Sequence, residues 1–185
     1  QPGAHESHTD QVVTPLADRA HGHDHAHAHA QLHAAPDYSR QIALPEVGAT
    51  GQQRLRAGSV LVIGAGGLGV PVLQYLAAAG VGRIGIVDGD VVEASNLHRQ
   101  PLYGVADIGK AKAAVAAARL RELNPEPTFA VHAERADADN LVGWLARYDL
   151  VVDCSDNFAT KFTVNDAAVI LGKPAVFASV YQYEG

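Results

Sequence analysis

A glycine-rich turn between an apolar run and a helical run constrains the fold of this chain most strongly. Residues 60–63 are four consecutive apolar residues, which predict a buried strand, and residues 70–79 have a helical pattern. Between them, Gly64, Gly66 and Gly69 fit the pattern G-x-G-x-x-G. These glycines allow a tight turn that approaches a phosphate, and the following helix adds free N–H groups. The segment therefore predicts a site for an adenine nucleotide.

A carboxylate follows the next apolar run at the expected place. Asp88 ends the run 84–87, where it can accept hydrogen bonds from ribose hydroxyls. The glycine turn and Asp88 together are compatible with binding of ATP or of a dinucleotide. An NAD-dependent oxidoreductase therefore stands as an alternative at this point.

Composition restricts the class of protein. The 185 residues carry a net charge of −6 with histidine neutral, so we expect no nucleic-acid partner. The single Cys154 cannot form an intrachain disulfide or a cysteine-only zinc site. Because no apolar run reaches the roughly 20 residues of a membrane span, we expect no membrane partner and a cytoplasmic location.

Residues 1–36 differ from the rest of the chain and hold eight of its ten histidines. They lack apolar periodicity, which predicts a disordered tail. One interpretation is a flexible tract that binds Ni, Zn or Co, and the other is a solvated tail that binds metal only opportunistically. The candidate ligands alternate along the chain: His21, His23, His25, His27 and His29.

From residue 37 onwards, strand and helix patterns alternate. This alternation predicts an α/β, Rossmann-like domain over 37–185 with a mainly parallel sheet and helices on both faces. The predicted strands are 59–63, 83–88, 128–132, 150–154 and 175–180. The predicted helices are 67–79, 108–123, 140–146 and 157–171, preceded by two short helical segments at 38–44 and 46–56.

The loop after Asp88 is long and polar and contains two candidate phosphate ligands. Arg99 offers a planar fork that suits phosphate oxygens, and Asn96 can bond phosphate or ribose. An ordinary surface loop is the alternative interpretation.

Two lysines, Lys110 and Lys112, open the next predicted helix. Lysines are unfavourable at the positive end of a helix dipole, so they are easier to explain if an anion lies there. Two solvated lysines are the alternative.

Two carboxylates follow the strand predicted at 150–154. Asp153 and Asp156 are expected to point into the crevice of the glycine turn, where a carboxylate can hold Mg²⁺ against a triphosphate. The competing role for either residue is an N-cap of the next helix. We interpret Cys154 as a small buried apolar residue rather than a nucleophile. Cations and carboxylates around one glycine turn favour ATP over a dinucleotide.

The combined motifs resemble the MoeB/ThiF/HesA adenylyltransferases, bacterial relatives of the ubiquitin-activating enzymes, and most of all their molybdopterin-synthase branch. The resemblance covers residues 38–185. It depends on the glycine turn and on Asp88-Gly-Asp90, Ser95-Asn-Leu-His-Arg-Gln100, Lys112 and Asp153-Cys-Ser-Asp-Asn157.

The resemblance implies a role for each matching residue. Arg99, Lys112 and Asp156 would be catalytic, and Asp156 would hold Mg²⁺. Arg40 would reach into a partner subunit's site, which implies a homodimer. The implied nucleotide-binding residues are Arg40, Gly64, Gly66, Gly67, Asp88, Ser95, Asn96, Arg99, Lys112, Asp156 and Asn157.

The implied reaction is adenylation of the C-terminal glycine of a ubiquitin-like sulfur-carrier protein for molybdopterin or thiamine biosynthesis. A sulfurtransferase or a cysteine desulfurase would supply the sulfur. The family's structural Zn²⁺ has no ligand set in this sequence, and the domain is expected to be incomplete at its C-terminal end. A non-catalytic form that binds metal or dimerises is therefore a further alternative.

Overall fold

The computed structural model describes residues 36–180. The predicted tail and its five alternating histidines lie outside the described residues, as do residues 181–185. Within residues 36–180, five strands and six α-helices are present. The strands are β1 Ser59–Ile63, β2 Arg83–Val87, β3 Thr128–His132, β4 Leu150–Asp153 and β5 Ala175–Phe177. The helices are α1 Ser39–Ile42, α2 Gly48–Ala57, α3 Gly69–Ala78, α4 Lys112–Leu123, α5 Leu141–Leu145 and α6 Phe158–Leu171.

The five strands form one parallel sheet in the order β3-β2-β1-β4-β5. β1 lies at its centre, and the chain moves outward first to one side and then to the other. The strand order therefore reverses between β1 and β4, which is where open α/β sheets bind ligands. This topology confirms the predicted Rossmann-like class.

Side chains of β1 alternate between two apolar cores, one on each face of the sheet. Val60 and Val62 pack with α3 and α4, whereas Leu61 and Ile63 pack with α5 and α6. Burial on both faces explains why the strand is apolar throughout its length rather than alternating.

The largest boundary difference concerns α4, which begins at Lys112 rather than at residue 108. Residues 105–107 form a separate 3-10 helix, and Gly109 adopts a φ of +84°, which interrupts any continuous helix. Ala111 forms an isolated bridge with Val91 just before α4 starts. A continuous helix from residue 108 was therefore a wrong prediction.

Other boundaries differ by smaller amounts. β5 ends at Phe177 instead of residue 180, and β2 and β4 each end one residue earlier than predicted. α6 ends at Leu171 as predicted, and the next residue, Gly172, has a φ of +61°, the left-handed cap typical of helix C-termini. Among the described helices, none has the length and apolar character needed to cross a bilayer.

Candidate active site

The glycine turn leaves the carboxyl end of β1 and requires glycine at its two outer positions. Gly64 has a φ of +92°, and a Cβ atom there would lie 2.9 Å from the carbonyl oxygen of Cys154. A Cβ atom at Gly69 would collide with the carbonyl oxygen of Gly64. Both glycines are thus fixed by the close approach of backbone to backbone.

The two inner glycines meet side chains rather than backbone. The nearest atom to a Cβ at Gly66 would be Gln100 Nε2, at 3.6 Å, and the nearest to one at Gly67 would be Arg99 Cδ, at 4.0 Å. The structure therefore brings Arg99 to the glycine turn, as the sequence predicted. No backbone atom closes this side of Gly66 and Gly67, and Gly67 is exposed, so a ligand can approach the turn here.

Asp88 holds the glycine turn in place. Its Oδ2 accepts a hydrogen bond from Ala65 N at 2.7 Å, and its Oδ1 accepts one from Asp90 N at 2.8 Å. Each carboxylate oxygen can accept a second hydrogen bond in addition to these. Asp88 has an additional structural role that the sequence did not reveal.

Lys112 is the first residue of α4 and is 7% exposed. Its Nζ lies 3.4 Å from Asp90 Oδ2, and Arg135 Nη2 lies 3.4 Å from the other oxygen of Asp90. The anion at this helix start is therefore a carboxylate. Lys110 lies before α4 rather than in it, and it pairs with Asp107 at 3.3 Å.

The polar loop 94–100 is held by its own side chains. Asn96 is buried, and its Oδ1 accepts a hydrogen bond from Glu93 N at 3.2 Å. Ser95 Oγ donates to the Glu93 carboxylate at 3.1 Å. Arg99 Nη1 donates to Ser95 O at 2.9 Å, which holds an otherwise exposed side chain beside Gly67.

The loop after β4 corrects two expectations. Asp153 does not face the crevice as a free ligand, because it is fully buried and its Oδ2 lies 2.7 Å from Lys161 Nζ. Neither aspartate caps α6: the N-cap is Asn157, whose Oδ1 accepts a hydrogen bond from Thr160 N at 2.9 Å. Asp156 is exposed and, within residues 36–180, makes no hydrogen bond or ion pair.

Cys154 lies between these carboxylates and is 7% exposed, which confirms its interpretation as a small buried residue. Burial, with a smaller contribution from the adjacent Asp153, raises the pKa of its thiol to about 11. A thiol in this state is a poor nucleophile near neutral pH.

Arg40 is not brought to the glycine turn of its own chain. It is an exposed residue of α1, and α1 lies near the C-terminal end of α3, where Gln41 Nε2 donates to Ala79 O at 3.0 Å. α1 therefore lies at the amino-terminal ends of the strands, whereas the glycine turn lies at their carboxyl ends. Any contact between Arg40 and such a site requires a second subunit.

Tyr103 is a site residue that the sequence analysis missed. Its hydroxyl donates to Ala65 O at 2.7 Å, so both polar groups of the Ala65 backbone are held by side chains. Burial, aided by the nearby Asp88 charge, raises the pKa of Tyr103 and keeps the hydroxyl protonated. No local pattern marks this tyrosine, because its partner is 38 residues away in the chain.

The donor set fits Mg²⁺ bound together with a nucleotide. Mg²⁺ commonly uses one or two carboxylates and completes its shell with phosphate oxygens and water. Asp156 provides one such free carboxylate. No group of three histidine, cysteine, aspartate or glutamate side chains within residues 36–180 forms an all-protein metal site.

Residues 38–185 match the ThiF family. Over 148 residues the chain is 58% identical to a sulfur carrier protein adenylyltransferase of Thermus thermophilus, covering 80% of this chain and 55% of that protein. It is 53% identical over 148 residues to the adenylyltransferase and sulfurtransferase MOCS3 of Sus scrofa, covering 80% of this chain and 32% of that protein. The chain thus spans about half or less of the length of these relatives.

A solved structure with the same fold has a bound nucleotide. The E. coli tRNA N6-threonylcarbamoyladenosine dehydratase TcdA, in complex with ATP, superposes with a TM-score of 0.68 at 30% identity. The match covers 70% of this chain and 54% of that one. Together with the match over residues 38–185, this shows that the chain belongs to the ThiF family.

Proposed function

We propose that the full-length protein uses ATP to adenylate the C-terminal glycine of a ubiquitin-like sulfur-carrier protein. The observation that carries this proposal is that Arg99 lies beside Gly67 of the glycine turn. Lys112, paired with Asp90, and Asp156, in the loop after β4, supply the further charges that the proposal assigns to the same site. A dinucleotide pyrophosphate needs fewer charged partners than a triphosphate that must lose pyrophosphate. The names of the Thermus and Sus scrofa relatives support the same reaction.

The chemistry requires no protein nucleophile. The glycine carboxylate attacks the α-phosphorus, a carboxylate oxygen–phosphorus bond forms, and the bond from phosphorus to the bridging oxygen of the β-phosphate breaks. Pyrophosphate leaves with that electron pair, and the carboxylate needs no general base because it is already ionised at neutral pH. The protein then has to hold the reactants in line and neutralise charge.

Each charged residue has a place in that task. Arg99 lies beside the open face of Gly67 and would contact phosphate oxygens through its planar fork. Lys112, now paired with Asp90, would exchange this carboxylate for a phosphate. Asp156 would hold Mg²⁺, which supplies additional charge neutralisation at the phosphates when bound. Gly64, Gly66, Gly67, Ser95 and Asn96 would shape and line the nucleotide site.

Asp88 would bind the ribose hydroxyls while keeping its bonds to Ala65 and Asp90. Asn157 would contribute to the same site from its capping position. Arg40 lies at the far edge of its own sheet, so it would complete the site of the second subunit in a homodimer.

We further propose that residues 37–185 form the ATP-binding domain of this protein. The carrier would belong to molybdopterin or thiamine biosynthesis. The activated carrier would then receive sulfur from a sulfurtransferase or a cysteine desulfurase. Names of relatives that combine adenylyltransferase and sulfurtransferase support such a coupling.

Carrier-dependent exchange between ATP and labelled pyrophosphate tests the proposal. We expect exchange with a ubiquitin-like carrier that ends in Gly-Gly, and none with the same carrier lacking its last glycine. Absence of exchange with every such carrier would contradict it. Tight binding of NAD without binding of ATP would favour the oxidoreductase instead.

The histidine tract motivates a second proposal. His21 to His29 place five imidazoles at alternate positions, and imidazole is a good ligand for Zn²⁺ and Ni²⁺. We propose that this segment binds either ion. Calorimetric titration with Zn²⁺ should give binding that is lost when the five histidines are replaced by alanine. Equal binding by the variant would overturn the proposal, and metal binding without ATP binding would favour a non-catalytic form.

A further inference from the structure

Gln100 is a buried polar residue whose position faces the glycine turn. It is 3% exposed, its backbone N–H donates to Asn96 O at 3.0 Å, and its carbonyl accepts from Tyr103 N at 3.2 Å. Its Nε2 is the nearest atom to the position of a Cβ on Gly66, at 3.6 Å. Its Oε1 is buried and has no hydrogen-bond partner within residues 36–180.

A second orphaned polar atom lies on the other side of the turn. Ser155 Oγ is buried and, among the described residues, also lacks a partner. The Ser155 backbone N lies 3.4 Å from the position of a Cβ on Gly64. Buried polar groups are nearly always satisfied. Of the three orphaned side-chain atoms within residues 36–180, Tyr148 Oη lies in the core beside Gly85 of β2, whereas the other two flank the glycine turn, where a bound ligand can satisfy them.

Gln52 shows what a buried glutamine does when its role is structural. It is also 3% exposed, but its Nε2 donates to Ala79 O at 3.1 Å and its Oε1 accepts from Gln41 Nε2. It lies on α2, near the end of α3 and away from the glycine turn. Gln52 is therefore a matched internal comparison for Gln100.

We propose that Gln100 and Ser155 contact the phosphate oxygens of the bound nucleotide. An amide N–H and a hydroxyl both donate to phosphate oxygen, and the amide of Gln100 can rotate to present either of its polar atoms. The adjacent Gly66 is in the part of the turn where the backbone approaches phosphate. This inference rests on the proposed ATP site and adds two uncharged donors to its charged residues.

The proposal predicts opposite effects on stability and on binding. Gln100→Met replaces an orphaned polar group with an apolar one of similar size, so the Tm of the nucleotide-free protein should rise by about 2–4 °C. The Kd for ATP should increase about tenfold, because a hydrogen bond to a charged group is lost. The Kd for adenosine, which has no phosphate, should stay within about twofold.

Two further variants keep the test decisive. Gln52→Met should lower the Tm and leave the Kd for ATP unchanged, because it breaks satisfied hydrogen bonds away from the site. Ser155→Ala, which removes a single atom, should weaken ATP binding by about tenfold. Ser155→Ala therefore tests the proposed phosphate contact even if Gln100→Met does not fold.

Calorimetric titration with ATP and with adenosine gives the Kd values of the full-length protein and its variants. Thermal unfolding of the same proteins gives their Tm values. Wild-type binding of ATP with unchanged affinity in Gln100→Met and Ser155→Ala would overturn this inference alone. An equal loss of affinity for ATP and adenosine would place the two side chains at the sugar or base and would also overturn it. Failure of the wild type to bind ATP would overturn the proposed function as well.

Discussion

Lys161 Nζ lies 2.7 Å from Asp153 Oδ2, and this ion pair joins α6 to the end of β4. Asp153 is fully buried, and its other oxygen accepts a hydrogen bond from Ser155 N at 3.1 Å. The Lys161 ammonium also donates to Ala178 O at 2.8 Å. The pair therefore fixes both ends of the short loop that carries Asp156.

Removal of Lys161 should destabilise the protein strongly. Lys161→Met leaves the Asp153 carboxylate buried without its counter-ion, a change that typically costs about 3–5 kcal/mol in the free energy of unfolding. Urea unfolding measures the loss. The double variant Lys161→Met, Asp153→Asn removes the orphaned charge and should recover part of the stability. A single variant as stable as wild type would show that the pair contributes little.

The outer and inner glycines should respond differently to alanine. Gly69→Ala places a Cβ against the carbonyl of Gly64, so we expect loss of stability and of ATP binding together. Gly67→Ala meets only Arg99 Cδ at 4.0 Å, so the free energy of unfolding should change by no more than about 0.5 kcal/mol. Its KM for ATP should nevertheless rise, because the methyl group occupies the approach to the backbone. Unchanged KM in Gly67→Ala would place the nucleotide elsewhere.

Neighbouring residues Asp156 and Asn157 should separate activity from stability. Asp156 is the proposed Mg²⁺ ligand, so Asp156→Ala should abolish pyrophosphate exchange. The Tm should not change, because Asp156 is exposed and caps no helix. Asn157→Ala removes the N-cap of α6 and should cost about 1 kcal/mol of stability. Thermal unfolding and exchange assays on both variants check this separation. Exchange that survives in Asp156→Ala would exclude it as the Mg²⁺ ligand.

Acid should destabilise the protein partly through Asp107. The Gly104 N–H, with help from Arg119 and Lys110, lowers the pKa of this carboxyl below its ordinary value of 3.8. A lowered pKa means that the carboxylate stabilises the fold above the ordinary pKa, and this contribution is lost as pH falls through the folded-state pKa.

Measurements of Tm between pH 6 and pH 2 should therefore show a smaller acid-induced decrease in Asp107→Asn than in wild type. Some decrease should persist, because the Ser59 hydroxyl and N–H lower the pKa of Asp149 in the same way. Parallel curves for the variant and wild type would contradict the assignment.

Local patterns were sufficient to predict the sheet and the proximity of Arg99 and Asp88 to the glycine turn. β1 and β3 have the predicted bounds. β1 is an apolar run that ends at a glycine, and β3 starts directly after Pro127 at the edge of the sheet, where Phe129 is its one buried residue. The glycine turn, Asp88 and Arg99 were found together for the same reason: they follow strand ends, and parallel strands gather these ends at one edge.

Contacts between distant residues could not be predicted in this way. Aspartate is a common metal ligand, but Asp153 instead forms an ion pair with Lys161. Lys161 reaches it only after α6 packs on β4. The sequence predicted an anion beside Lys112, and the structure places the Asp90 carboxylate there, 22 residues earlier in the chain. The charge of a side chain was visible in the sequence, whereas its partner depended on the tertiary fold.

The most direct test of the proposed adenylation follows the phosphorus atoms. The full-length protein is incubated with a Gly-Gly carrier and with ATP labelled at either the α- or the γ-phosphorus, without a sulfur donor. The α-label should appear on the carrier and the γ-label in pyrophosphate, and neither transfer should occur with Asp156→Ala. Transfer of the γ-label to the carrier, or of no label at all, would contradict adenylation.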